Sequence, residues 1–183
     1  TSSDGITWTK RTSGYSNELK GVSYANGTFL IVGEEGKIFT SSDGISWDNI
    51  TSGASVALQG ITYGNSRFVT VGYSGHILTS SDNGTSWDNR TSGTNHNLNR
   101  VTFGNNTFVA GSWLSPYGTI ITSSDNGTSW DNRSIVYQRD FRDVAFGEST
   151  FVAVGAYGSD GIILTSSDNG TTWDNRTTDT TKS

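Results

Sequence analysis

One short phrase recurs five times along this chain. It reads TSSDGITW at Thr1–Trp8, TSSDGISW at Thr40–Trp47, TSSDNGTSW at Thr79–Trp87 and Thr122–Trp130, and TSSDNGTTW at Thr165–Trp173. Its tryptophans, Trp8, Trp47, Trp87, Trp130 and Trp173, fall 39, 40, 43 and 43 residues apart. A period near 40 marks a supersecondary unit that cannot bury its apolar face alone and must stack on copies of itself. Residues that recur in every copy are therefore first of all candidates for holding the fold together.

A second block lies between the tryptophans: LKGVSYANGTFLIVG at Leu19–Gly33, LQGITYGNSRFVTVG at Leu58–Gly72, LNRVTFGNNTFVAG at Leu98–Gly111 and FRDVAFGESTFVAVG at Phe141–Gly155. Each copy holds two short apolar runs around a polar turn. A third run follows at Lys37–Thr40, His76–Thr79, Thr119–Thr122 or Ile162–Thr165, and the polar stretch after each Trp supplies a fourth. The runs are rich in Val, Ile, Phe and Tyr and bounded by Gly, Asn, Asp and Ser, which is the pattern of strands and hairpins. No window carries a helical stripe. The chain is expected to be all-β.

Four strands in about 40 residues make the blade of a β-propeller. Inner runs such as Phe151–Val154 are apolar at consecutive positions, as required when both faces of a blade pack on neighbours. The expected single domain spans 1–183, with blades at about 17–51, 56–92, 96–134 and 139–178 and an N-terminal half-blade at 1–14. The ring then has four or five blades. A β-solenoid is the other repeat architecture, but its coils are shorter and less hairpin-like.

The segments Ser80–Trp87, Ser123–Trp130 and Ser166–Trp173 resemble the Asp-box, Ser-x-Asp-x-Gly-x-Thr/Ser-Trp, of sialidase-type (bacterial neuraminidase repeat) propellers and of related non-enzymatic propellers such as photosystem assembly factors. The copies at Asp4 and Asp43 are one residue shorter, so a different turn geometry is expected there. The resemblance covers almost the whole chain. It implies a hairpin between the third and fourth strands in which Asp82, Asp125 and Asp168 accept hydrogen bonds from turn amides. Each Trp then opens the outer strand and covers the blade with a large ring. The row of aspartates suggests calcium, but each has Ser and Asn beside it rather than the further carboxylates a calcium loop needs. No metal or other cofactor is expected.

Composition narrows the function. Only 32% of the chain is apolar, which repeat folds tolerate because their core is a set of thin interfaces. A net charge of −5 argues against nucleic-acid binding. Arg90, Arg133 and Arg176 each follow an Asp two positions earlier, which suggests a rim of mixed charge. No run is long enough for membrane insertion, and no signal-peptide pattern is present. Cys is absent, which removes disulfides and thiolate sites. Met is absent too, even at position 1, so the chain reads as processed or as an excerpt. A polar, acidic, Cys-free chain of this class suits an extracellular or cell-surface setting.

A catalytic role finds little support. Sialidases of this resemblance need an arginine cluster, a Tyr nucleophile with a Glu, and an Asp acid/base, on six blades. Here Glu occurs only at Glu18, Glu34, Glu35 and Glu148. The one irregular charged patch, Tyr137, Arg139, Asp140, Arg142 and Asp143, reads as a loop between blades. His76 and His96 sit in different repeats without a Ser or Cys partner. No catalytic residue is assigned.

Three features bear on partners. The insertion Ser112–Gly118 carries Trp113 and Tyr117, and Ala156–Gly161 carries Tyr157; both fall between the second and third strands, where exposed aromatics can stack on sugars or anchor a protein. Asn49, Asn89, Asn132 and Asn175 are N-x-Ser/Thr sequons on the outer strands, and Asn26 and Asn105 are sequons in the turn between the first two strands. The half-blade has no vacancy in its own chain, because the last blade already owns Thr165–Thr177. It is expected on a sheet edge, in another chain rather than its own. Two functions follow: a secreted, glycosylated structural propeller that self-associates through the half-blade, or a multivalent glycan-binding propeller.

Overall fold

A computed structural model describes residues 1–113, 118–133, 140–157 and 160–176. They form four antiparallel sheets of four strands each, arranged as the blades of a β-propeller. The first blade comprises β1 (Leu19–Ala25), β2 (Thr28–Gly33), β3 (Ile38–Ser41) and β4 (Asp48–Ile50). The second comprises β5 (Leu58–Gly64), β6 (Arg67–Gly72), β7 (Ile77–Ser80) and β8 (Asp88–Arg90). The third comprises β9 (Leu98–Gly104), β10 (Thr107–Ser112), β11 (Ile120–Ser123) and β12 (Asp131–Arg133). The fourth comprises β13 (Asp140–Gly147), β14 (Thr150–Tyr157), β15 (Asp160–Ser166) and β16 (Asp174–Arg176). Each sheet runs in chain order from its innermost to its outermost strand.

The hairpin that opens each blade turns on two residues. Asn26–Gly27, Asn65–Ser66, Asn105–Asn106 and Glu148–Ser149 all have positive φ, the geometry that matches the twist of paired strands. Asn tolerates that region; Glu148 and Ser149 enter it at a steric cost. Among the described residues, helix is confined to two single 3-10 turns, Glu34–Gly36 and Tyr73–Gly75.

Period-2 alternation sends neighbouring residues of one strand into different cores. Phe68 of β6 packs with Leu30, Val32, Ile38, Leu58 and Ile61, between the first and second blades. Val69 and Val71 of the same strand pack the other way, with Leu98, Val101 and Phe108 of the third blade. Val109 and Ile120 then meet Phe141, Val144 and Phe151 of the fourth. One face of each blade thus covers the opposite face of the next. The innermost strands pack in sequence, β1 on β5, β5 on β9 and β9 on β13; among the described residues no comparable packing joins β13 to β1.

Three expectations change in detail. The outer strands begin at the Asp after each Trp, not at the Trp, because the ring is held back over the turn. Ala156–Gly161 is no loose insertion: Ala156 pairs with Gly161 and Tyr157 with Asp160, so it lengthens the β14–β15 hairpin. Residues 1–14 contain no strand, although Thr1 and Thr9 exchange both backbone hydrogen bonds at 2.8 Å and close a hairpin.

Candidate functional site

Each TSSD hairpin is built around a carboxylate that accepts hydrogen bonds from its own turn. In the longer copies, Asp82, Asp125 and Asp168 accept the amide of the residue four positions on (2.9 Å in each) and its hydroxyl, from Ser86, Ser129 or Thr172 (2.5–2.6 Å). In the shorter copies, Asp4 accepts the amides of Ile6 and Thr7, and Asp43 those of Ile45 and Ser46. The missing residue moves the donors one position closer, which confirms that the turn geometry differs.

Sequence reasoning missed the Ser at the end of the third strand. Ser80, Ser123 and Ser166 donate to the Asp at 2.7–2.8 Å and accept the amide of Gly84, Gly127 or Gly170 at 2.9 Å. Its invariance across the five phrases was the available signal.

These bonds favour the charged carboxylate. The Ser86 hydroxyl and amide lower Asp82 to about 2, and those of Thr172 do the same for Asp168. At Asp125 burial pushes upward, but the Ser129 hydroxyl and amide prevail and hold it at about 2. Asp4 and Asp43 are held below the usual range by the amides of Thr7 and Ile6, and of Ile45 and Ser46. Among the described residues, no three His, Cys, Asp or Glu side chains gather where they could hold a metal.

The tryptophans divide by what they can cover. Trp130 is buried; Trp47, Trp87 and Trp173 are half-buried; Trp8 is 72% exposed because only a hairpin stands beneath it. In the longer copies the indole N–H also donates to the turn glycine carbonyl at 3.0–3.2 Å.

The half-blade reproduces the outer half of a blade. Arg11 Nε donates to Thr1 Oγ1 at 3.0 Å, the bond that Arg90, Arg133 and Arg176 make to Thr79, Thr122 and Thr165. It lies on its own chain: the Tyr15 hydroxyl donates to the Glu34 carbonyl at 3.0 Å, and the Tyr15 ring stands 5.8 Å from that of Phe39. Its position is that of a preceding blade. A β-carbon placed on Gly44 would lie 3.4 Å from the Thr1 methyl, just as one on Gly127 would lie 3.2 Å from the Thr79 methyl. The expectation that it pairs with another chain is thus replaced by docking in cis, on the face where a blade belongs.

That docking is incomplete. A largely apolar groove of about 660 Å³ remains between Thr1, Trp8 and Arg11 on one side and Leu19, Val22 and Phe29 on the other. Val22 is 66% exposed and Tyr24 60%, whereas Ile61, in the place of Val22 one blade on, is 9% exposed.

The remaining candidates are spread over the molecule. Trp113 lies 4.6 Å under the Arg142 guanidinium of the next blade, and its amide donates to the Asn97 carbonyl at 2.8 Å, so one ring face is already occupied. Tyr117, Tyr137 and Arg139 lie outside the described residues, and only the backbone of Tyr157 is placed. Asn49, Asn89, Asn132 and Asn175 are exposed on the outer strands. Asn26 and Asn105 are exposed too, but their amide nitrogens donate to the next blade, to Asn83 Oδ1 (3.4 Å) and Asn169 Oδ1 (2.6 Å). The outer arginines pair with Asp88, Asp131 and Asp174 at 2.8, 3.0 and 3.3 Å, forming the mixed-charge rim. A polar cleft of about 640 Å³ between the second and third blades is lined by His76, Asn89, Arg90, His96 and Asn132. His76 Nδ1 donates to the Tyr73 carbonyl at 3.2 Å, and His96 Nδ1 shares a hydrogen with Thr119 Oγ1 at 3.0 Å.

A family described as the DUF6242 beta propeller domain matches residues 1–99. No curated protein matches the chain. Similar solved structures include YCF48 bound to D1 peptide (18% identity, TM-score 0.66, covering 87% of this chain and 55% of that one). A nidogen/laminin complex matches at 13% identity and TM-score 0.65, covering 87% of this chain and 64% of that one. A GH43 β-1,3-galactosidase with galactodeoxynojirimycin matches at 9% identity and TM-score 0.53, covering 85% and 74%. The chain spans less than two thirds of the YCF48 and nidogen/laminin chains. Identities this low establish the fold and nothing finer.

Proposed function

The chain belongs to the DUF6242 β-propeller domain family, and on that premise we propose that it is a non-catalytic assembly module, extracellular and glycosylated, that self-associates at the open face of its first blade. The observation that carries this reading is the open face of β1. Leu19, Val22 and Tyr24 stand in water at positions that every later blade buries or half-buries. Fully burying one Val or Leu is worth about 1.5–3 kcal/mol, so leaving this row uncovered is unfavourable. Two of the similar structures, YCF48 bound to D1 peptide and the nidogen/laminin complex, are consistent with a propeller that works by docking polypeptide.

The non-catalytic reading rests on the site chemistry. The TSSD carboxylates are engaged by their own turns, and Arg142 pairs with Asp140 at 3.9 Å and Arg100 with Asp143 at 4.0 Å. The four outer sequons expose their Asn side chains at a circumference suited to glycans.

Sedimentation velocity over a range of concentrations tests the assembly reading. The mass is expected to rise with concentration in the wild type and to stay at one chain in Val22→Asp, which puts a charge on the open face. A monomer throughout in the wild type, or any glycosidase turnover by the purified protein, overturns it. Carbohydrate binding is the second reading. The polar cleft at Asn89, Arg90 and Asn132 favours it, with amide and guanidinium donors facing one space. Titration with neutral and acidic oligosaccharides distinguishes the two.

A further inference from the structure

Within the carbohydrate-binding reading, on which this inference rests, we propose that the cleft between the second and third blades takes an acidic saccharide. A carboxylate of the sugar sits on Arg90, and its hydroxyls meet His76, His96, Asn89 and Asn132. The repeat changes character at this junction. Residues copied in every blade are explained by the fold, so those that change at one junction are free to serve something else.

The connections Asp48–Leu58 and Asp88–Leu98 are equal in length, and Ile50 and Arg90 hold the same register, against Ile38 and Ile77. The first connection carries Ile50, Ala54 and Val56; the second carries Arg90, Thr94 and His96 in their places. Glu35, in the 3-10 turn of the first blade, gives way to Ser74 in the second. Each change puts a hydrogen-bond donor where the first junction has an apolar side chain or a carboxylate. The result is a cleft of about 640 Å³ that, among the described residues, no Asp or Glu lines, in a chain of net charge −5.

The charge behind the cleft is unbalanced in the same direction. Arg90 Nε donates to Thr79 Oγ1 at 2.9 Å, and Arg67 Nη1 donates to the same oxygen at 3.4 Å. Two guanidinium groups thus meet at one hydroxyl, while one carboxylate, Asp88, pairs with Arg90 at 2.8 Å. Arg67 enters no ion pair among the described residues, and its Nε finds no acceptor there. The other blades have Thr28, Thr107 and Thr150 at its position, so the fold does not call for an arginine. Paired cations favour an anion that reaches them, and guanidinium matches a carboxylate with two parallel donors. The Nδ1 atoms of the histidines are engaged, with the Tyr73 carbonyl and Thr119 Oγ1, which leaves each Nε2 for a ligand hydroxyl. Together with the amides of Asn89 and Asn132, these groups suit a ring of hydroxyls bearing one acid, as in a hexuronic acid.

A glycan on Asn89 or Asn132 would fill the same space, so the test takes the full chain from a host that does not glycosylate. Calorimetric titration should show tri-galacturonate binding about tenfold or more tightly than the same trimer with its carboxylates methyl-esterified. Arg90→Ile and Arg67→Thr, each borrowed from another blade, should remove that preference with the melting temperature unchanged. Arg176→Ile, on the fourth blade, should leave it intact. If acid and ester bind equally, the carbohydrate reading survives and this inference is overturned. A preference that outlasts both Arg90→Ile and Arg67→Thr also overturns it, as does inorganic sulfate binding as tightly as the trimer. If neither trimer nor any neutral oligosaccharide binds, both readings of the cleft end.

Discussion

Phe103 rests on the backbone of Gly64 in the preceding blade, so closely that a β-carbon there would overlap its ring. Gly64→Ala and Gly104→Ala should each cost about 1–3 kcal/mol by forcing the ring off its seat. Gly147→Ala, at the equivalent position, where no described residue lies within 4 Å of the added carbon, should be neutral or stabilise by up to about 1 kcal/mol, because the unfolded chain loses freedom. Urea unfolding of the three variants checks the contrast.

Acid should weaken the hairpins before other parts of the fold. Asp82, Asp125 and Asp168 sit at about 2, below the ordinary value near 3.9 of an unfolded Asp. A lowered native value means the unfolded chain takes up protons first. The stabilisation is complete above the unfolded value and is lost as pH falls from about 4 toward 2. Replacing Asp125 by Ala should remove about 1 kcal/mol at neutral pH and flatten that acid slope, measured as unfolding midpoint against pH. An unchanged slope would mean that other carboxylates govern it.

Ser149→Gly should stabilise the protein. Ser149 has φ 58 in the turn between β13 and β14, where Gly27 serves the first blade at φ 78. Relief of the left-handed strain should outweigh the added freedom of the unfolded chain, by about 0.5–1 kcal/mol. A lower melting temperature would contradict this.

Glycosylation, in a host that performs it, should discriminate among the sequons. The amide nitrogen that would carry the sugar is already spent at Asn105 on Asn169. Peptide mapping of secreted protein should find Asn89 and Asn132 occupied well before Asn105. Equal occupancy would show that the contact between blades yields to the modifying enzyme.

The blades were legible because their signals are local. Alternation along runs such as Phe68–Val71 and the turn chemistry around Asp82 act within a few residues, so the chain announces them directly. The half-blade was misplaced because its position depends on which surface is free, and Thr1 against Gly44 is a contact between segments that no periodicity encodes. The aromatic–glycine pairs were written plainly as Tyr63–Gly64 and Phe103–Gly104, but their meaning lies across a junction, in the ring of the following blade. The Ser residues went unread because repetition made them look like background to the Asp they orient.

The three apolar clusters share no residue: Phe68 belongs to one and its neighbour Val69 to another. Cohesion in this molecule is therefore held in separate accounts rather than in a common pool. Damage at Gly104 should loosen the third and fourth blades while the first pair keeps its amide protection. Association at the open face of β1 would in turn protect the first pair and leave the far blades as they were, so resistance to unravelling there becomes a property of concentration.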